Sequence, residues 1–106
     1  MLRYRSDAGH AWLEVPRMEV RRLDIVITPF SYQKDDKVYL EEDLDAVTYL
    51  NARAAEIGVE LKDINKHITI EEVYDGDISP IRNYTNYSQN YKEHEHELRF
   101  NKPVGL

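Results

Sequence analysis

Two stretches of this 106-residue chain hold side chains whose type and spacing could do chemistry. In EHEHE, His94 and His96 stand two apart. On a strand both would leave one face, a spacing that can chelate zinc or nickel if further ligands converge. His10, His67 or an acid would have to complete the set, and the sequence does not bring them there. The rival reading is an ordinary polar strand near a terminus. In VYLEEDLDAV, four carboxylates (Glu41, Glu42, Asp43 and Asp45) crowd into five positions. Clustered oxygens could hold a cation, but no glycine stands where an EF-hand loop needs one. Two of the acids have structural work to do. Asp43 stands where a strand stops and a helix starts, so it can accept bonds from the first-turn amides. Asp45, inside that turn, meets the positive end of the helix dipole. Glu41 and Glu42 end the strand on opposite faces, so one of them leans toward a candidate binding face.

Tyrosine is abundant, at eight residues. Tyr84, Tyr87 and Tyr91 stand three and four apart near Arg82. That spacing predicts either a helical stripe covering core or a recognition surface, since tyrosine and arginine are favoured in binding hot spots and can stack on bases. There is no nucleophile elbow, phosphate-cradling glycine loop or zinc-protease helix. The chain has no cysteine, which excludes thiol catalysis, disulfides and cysteine-ligated zinc. No catalytic residue and no cofactor are therefore assigned. The net charge of −6 opposes binding to a phosphate backbone, which needs a basic face.

The elements that would position these residues follow from periodicity. LRYRS alternates apolar with basic residues and predicts a strand. HAWLEV predicts a second, and Pro16 suits the start of a two-turn helix with Met18, Val20 and Leu23 inward and Arg17, Arg21 and Arg22 wet. DIVITP has strand composition, ended by Pro29. FSYQ–KDDK–VYLE predicts a hairpin, with Phe30 and Tyr32 on one strand face and Val38 and Leu40 sharing a face of the other. Residues 43–57 predict the main helix, its stripe Leu44, Val47, Leu50, Ala54 and Ile57. Gly58 would stop it in the left-handed conformation. HITIEEVY predicts a strand, and Ser79 before Pro80 caps a short helical turn. EHEHELRF predicts a late strand that pairs with the sheet edge or exchanges with a partner chain. The order is β-β-α-β-β-α-β-turn-β. It predicts an α+β fold, a mainly antiparallel sheet with one main helix and one or two short helices on one face. Residues 1–84 form one domain in this reading, and 85–106 a polar arm or late strand. No apolar run is long enough to cross a membrane, and MLRYRSD has no h-region of a secretory signal. Together with the missing cysteines this predicts a cytoplasmic protein.

DAGHAWLEVP, SYQKDDKVYLEEDLDA and the late IRNY resemble a family of small uncharacterised phage and bacterial proteins. Its members carry GHGWLEVP, a SYQ-type hairpin followed by YLEEDCD, and a final IR-x-Y element. The resemblance covers residues 4 to 84. Ala11 stands for a glycine, Leu44 for the cysteine of EEDCD, and DIVITPF for a Gly-Ile helix end. The resemblance implies a mobile-element setting, with the host cytoplasm as location, and no assigned activity. It draws attention to His10, Trp12, Ser31, Tyr32, Glu41, Glu42, Asp43, Arg82 and Tyr84 as a binding surface, because a core needs no such mixture. The leading expectation is an accessory protein that binds a host protein, such as an anti-CRISPR inhibitor of host defence, with a homodimer also compatible. The alternatives are a protein that sequesters a nucleotide signal and a metal-dependent enzyme built on His94 and His96.

Overall fold

In AWLEVP and KVYLE every second residue is apolar and large, so each strand can bury one complete face. A computed structural model describes residues 1–89 and pairs these two strands at the centre of a six-stranded sheet. They are β2 (Ala11–Pro16) and β4 (Lys37–Glu41), antiparallel, with Leu13 opposite Leu40 and Val15 opposite Val38. These four side chains form the floor of the main core. The same register puts Trp12, Glu14, Tyr39 and Glu41 on the other face.

The remaining strands are β1 (Leu2–Ser6), β3 (Tyr32–Lys34), β5 (Ile70–Tyr74) and β6 (Thr85–Asn86). The sheet order is β5-β1-β2-β4-β3-β6, antiparallel throughout except where β5 lies parallel to β1. Helices α1 (Arg17–Leu23) and α2 (Asp45–Ile57) pack on the face carrying Leu13 and Leu40. The opposite face is covered only in part, by a single-turn 3-10 helix, Pro80–Asn83, whose Ile81 packs on Trp12 and Tyr39. This is the α+β architecture that the strand and helix order predicts, with both α-helices on one face and the short 3-10 helix Pro80–Asn83 on the other. Among the described residues no helix is long and apolar enough to cross a membrane.

Local chemistry explains where the chain departs from periodicity. In α1, Met18 was expected inside and is 69% exposed, whereas Arg17 was expected wet and is only 5% exposed. The two-residue hairpin turn Asp35–Asp36 lies beside the start of α1, and its carbonyls need donors. Arg17 supplies them: its backbone N–H donates to Asp36 and its guanidinium to the Asp35 carbonyl and to Gln33 Oε1. DIVITP forms no strand. Asp24 turns left-handed (φ 52°) to close α1, Pro29 follows five residues later, and the sheet position beside β3 is taken by β6. Phe30 consequently lies in the loop before β3 rather than on its face.

Helix α2 begins at Asp45, with Leu44 as its cap residue and no side-chain cap from Asp43. Its buried positions are Asp45, Ala46, Tyr49 and Ala54, with Leu50 packed beside them. Leu44, Val47 and Ile57 are only partly covered, so the buried stripe is rotated from the expected one. Tyr49, fully buried, fills the space that the aliphatic stripe was expected to fill. Gly58 ends α2 with φ 87°, its amide bonded to the Ala54 carbonyl, as expected of a left-handed stop. Ser79 caps the 3-10 helix through the Ile81 amide, also as expected. The tyrosine stripe is not helical. Tyr84 is extended and lies on the open face against Tyr39, while Tyr87 enters the main core. Thus β6 and Tyr87, placed in the arm by the domain boundary at residue 84, pack on the folded body. Tyr91, His94, His96 and the late strand EHEHELRF lie outside the described residues.

Three tyrosines report on burial directly. Desolvation, aided by Glu42 at Tyr4 and by Glu14 at Tyr39, pushes the Tyr4 and Tyr39 phenols up to about 12, and burial does the same to Tyr49. A phenol raised above its unfolded value of about 10 adds stability that is complete below that value. The contribution is lost as pH rises from there through the folded value. Absorbance at 295 nm is expected to show these tyrosines ionising about two units later in native than in urea-unfolded protein. Superimposable native and unfolded curves would contradict the packing.

Candidate functional site

On the open face, the edge where β2 begins and β4 ends forms a cleft of about 470 Å³. That volume lies in the range of small-ligand sites. His10, Trp12, Phe30, Tyr32, Glu41 and Arg82 line it, with Leu44 at its lip. Each comes from a different place in the chain. His10 precedes β2 and Trp12 lies in it, Phe30 precedes β3 and Tyr32 opens it, Glu41 ends β4, and Arg82 comes from the 3-10 helix.

Trp12 is the floor, 3% exposed, packed in a small cluster with Tyr39 and Ile81. Tyr32 meets it edge to face at 6.2 Å between ring centroids, and the His10 ring lies 6.1 Å away. The Arg82 guanidinium lies over the Trp12 ring, 5.6 Å from its centroid. Such a cation–π contact adds about 0.5–2 kcal/mol.

Arg82 is held there by Asp7. Its Nε and Nη2 donate to the two Asp7 carboxylate oxygens at 2.6 and 2.8 Å, the paired geometry that suits guanidinium and carboxylate. Asp7 Oδ1 also accepts from the Gly9 and His10 amides, and Oδ2 from the Ser79 amide. This side chain has no exposed surface. The Arg82 hydrogen bond, with the three amides, holds the Asp7 carboxyl far below the usual carboxylate range, and Asp7 in turn raises Arg82. Gly9 leaves room for the arrangement, because a Cβ there would sit 3.0 Å from Arg82 Nη2.

A second network positions the other wall. Asp45 is fully buried at the start of α2, and both its oxygens accept from the Thr28 amide at 3.2 Å. The Thr28 and Ser31 hydroxyls also donate to it. Ser31 Oγ accepts from the Glu41 amide at 2.9 Å. One carboxylate therefore fixes both ends of the loop that carries Phe30, and through Ser31 the end of β4. Phe30 itself projects from that loop, 71% exposed.

Five of the nine sequence-selected positions thus converge on the cleft: His10, Trp12, Tyr32, Glu41 and Arg82. Ser31 is behind it, sealed from solvent with its proton committed to Asp45, and so serves as a brace. Asp43 is exposed beside it, and its amide donates to Glu41 Oε2 at 3.1 Å. Tyr84 shares the open face but packs at a tilt on Tyr39 outside the cleft. Glu42 leaves the opposite face, where Tyr4 donates to it at 3.0 Å. It borders a separate cleft of about 730 Å³ between α2 and the sheet, floored by Leu13, Ala46, Leu50, Ile68 and Ile70. That larger space offers two carboxylates, Glu42 and Glu72, over aliphatic side chains. It has neither a ring other than Tyr4 nor a cation, so it lacks the mixed chemistry of the aromatic cleft.

Phe30, Leu44, Asp7 and Asp45 were not assigned to a binding site from sequence. Leu44 stands at a helix-stripe position, and Phe30 at a hairpin position. The Asp7-x-Gly9 turn is a local sign of an Asp side chain bonding its own backbone. Its partnership with a residue 75 positions away has no sequence signal. Among the described residues no three His, Asp or Glu side chains converge to hold a metal ion. No family model matches the chain, and no curated protein or solved structure gives a significant match to it.

Proposed function

We propose that this chain acts by binding, and that the aromatic cleft is where it holds a partner protein. One observation carries the reading. Residues picked from the sequence for their mixture of polar and aromatic character come together from separate elements around one concave surface. Trp, Tyr and Arg are the residue types that dominate binding energy at protein interfaces. Apolar Trp12, Phe30 and Leu44 stand together with polar His10, Glu41 and Arg82, the mixture of apolar and polar groups such a site uses. On the family resemblance, the partner is a host protein and the setting a mobile element, where blocking a defence component is the natural outcome of binding.

The nucleotide-signal reading draws less support from this geometry. The positive charge it relies on, Arg82, is already neutralised by Asp7, and Glu41 in the same cleft opposes a phosphate. The metal-enzyme reading rests on His94 and His96, outside the described residues, and draws nothing from the cleft.

The experiment is affinity capture from host lysate with wild-type chain, the double variant Phe30→Ala/Tyr32→Ala, and Val47→Ala/Glu72→Ala in the other cleft. A partner retained by wild type and by the second variant, and lost by the first, is expected. Equal capture by all three, or none by any, would remove the reading.

A further inference from the structure

The aromatic rings of the open face fall into two groups. Arg5 lies over Tyr39 at 5.8 Å, Lys34 over Tyr84 at 4.8 Å, and Arg82 over Trp12 at 5.6 Å. Each of these rings carries a cation of the chain's own. Among the described residues, Tyr32 and Phe30 at the mouth of the cleft carry none. Several carboxylates of this face are paired as well. Asp7 is paired with Arg82, Asp75 with Arg5, and Glu71 with Arg3. Glu14 is shared by Arg3 and Arg5. Glu41 has no cationic partner among the described residues; one of its oxygens accepts the Asp43 amide.

One complete set therefore stands at the cleft, in which a guanidinium lies over an aromatic ring and binds a carboxylate sealed behind it: Trp12, Arg82 and Asp7. Beside it stand the ring and carboxylate components of a second set, Tyr32, Phe30 and Glu41, without the cation. Asp7, sealed behind the cleft, cancels the charge of Arg82, and Glu41 leaves the cleft negative. Within a chain of net charge −6 this favours a cationic occupant.

Resting on the reading of this cleft as a protein-binding site, we propose that its occupant is an arginine side chain of the partner, stacked against Tyr32 and Phe30 and bonded to Glu41. Arginine fits better than lysine because its planar guanidinium can stack on a ring and donate in-plane to a carboxylate at once. An ammonium can do the second but has no flat face for the first. Arg82 on Trp12 shows that this fold already accommodates a guanidinium in such surroundings.

The test is a ¹⁵N-resolved NMR titration of the full chain with three probes: N-acetyl-arginine-methylamide, its uncharged citrulline counterpart and adenosine monophosphate. The arginine probe is expected to saturate with a Kd of about 1–10 mM, reasonable for one side chain. Its shifts should centre on the Trp12 indole and the Tyr32 and Glu41 amides. Citrulline and the nucleotide should bind at least about tenfold more weakly. Glu41→Gln should lose about the same factor with its spectrum otherwise intact, and Glu60→Gln, outside the cleft, should lose nothing. Equal binding of arginine and citrulline, indifference to Glu41→Gln, preference for the nucleotide, or shifts centred elsewhere would overturn the assignment. If the arginine probe fails while cleft-dependent capture of a protein persists, only the arginine assignment falls. If the probe binds but no partner depends on the cleft, the protein-binding reading falls instead.

Discussion

Asp45→Ala is expected to destabilise the chain by roughly 2–4 kcal/mol, as hydrogen bonds to a buried charged group contribute about 1.5–3 kcal/mol each but do not add fully. The Asp45 oxygens accept from the Thr28 amide, the Thr28 hydroxyl and the Ser31 hydroxyl. Removing them leaves three donors facing a small cavity, in a place where water cannot readily replace the carboxylate. The cost is not confined to stability. Thr28 and Ser31 bracket Phe30, and Ser31 also holds the Glu41 amide. The variant should therefore release the loop, and amide resonances of residues 28, 30, 31 and 41 should broaden or move even where the rest of the fold survives. Urea denaturation gives the first quantity and amide spectra the second. A loss below about 0.5 kcal/mol, the range of an ordinary surface change, would show that Asp45 is not the brace described.

The second large effect belongs to Asp7. Its carboxyl is held well below its ordinary range, chiefly by Arg82 and further by the Ser79, Gly9 and His10 amides. A carboxyl with a depressed folded pKa contributes stability that is complete above its unfolded value of about 3.9. The contribution disappears as pH falls from about 5 downward, because the unfolded chain takes up the proton first. Glu19, lowered mainly by Arg22, adds to the same trend. Wild type should thus lose stability steeply in acid. Asp7→Asn should be much less stable than wild type at pH 7, and the difference should shrink between pH 5 and pH 3. Urea midpoints at pH 7, 5 and 3 decide this; a gap of constant size across the three would mean that Asp7 acts through shape alone. Arg82→Met separates the roles further. It leaves Asp7 sealed without its cation, so it should destabilise at pH 7 and recover in part as acid protonates the carboxyl.

Much of the framework was legible because it rests on local rules. The alternation in AWLEVP and KVYLE, the left-handed stop at Gly58 and the Ser79-Pro80 cap each act over a few residues, and each is found where expected. What could not be read is tertiary. Arg17 looks like a wet helix residue until the turn carbonyls of Asp35 and Asp36 are placed beside it. The stripe of α2 was aimed by its aliphatic residues, but Tyr49 supplies more buried surface and Asp45 is drawn inward by Thr28 and Ser31. DIVITP had the composition of a strand, but the position beside β3 is taken by β6. For the site, residue type was informative and connectivity was not. His10, Trp12, Tyr32, Glu41 and Arg82 stood out by chemistry, and the strand period correctly split Glu41 from Glu42. Which of the two faced Arg82 depended on the register of β2 with β4, and the burial of Asp7 on a contact across almost the whole chain.

The aromatic cleft is proposed as the surface through which this chain meets its partner. Site-specific photocrosslinking in cells that express the chain tests that most directly, with p-benzoylphenylalanine replacing Phe30 in one preparation and Val59, outside the cleft, in another. A discrete adduct from position 30 and none from position 59 is the predicted result. Adducts from position 59 alone, or from neither position, would contradict it.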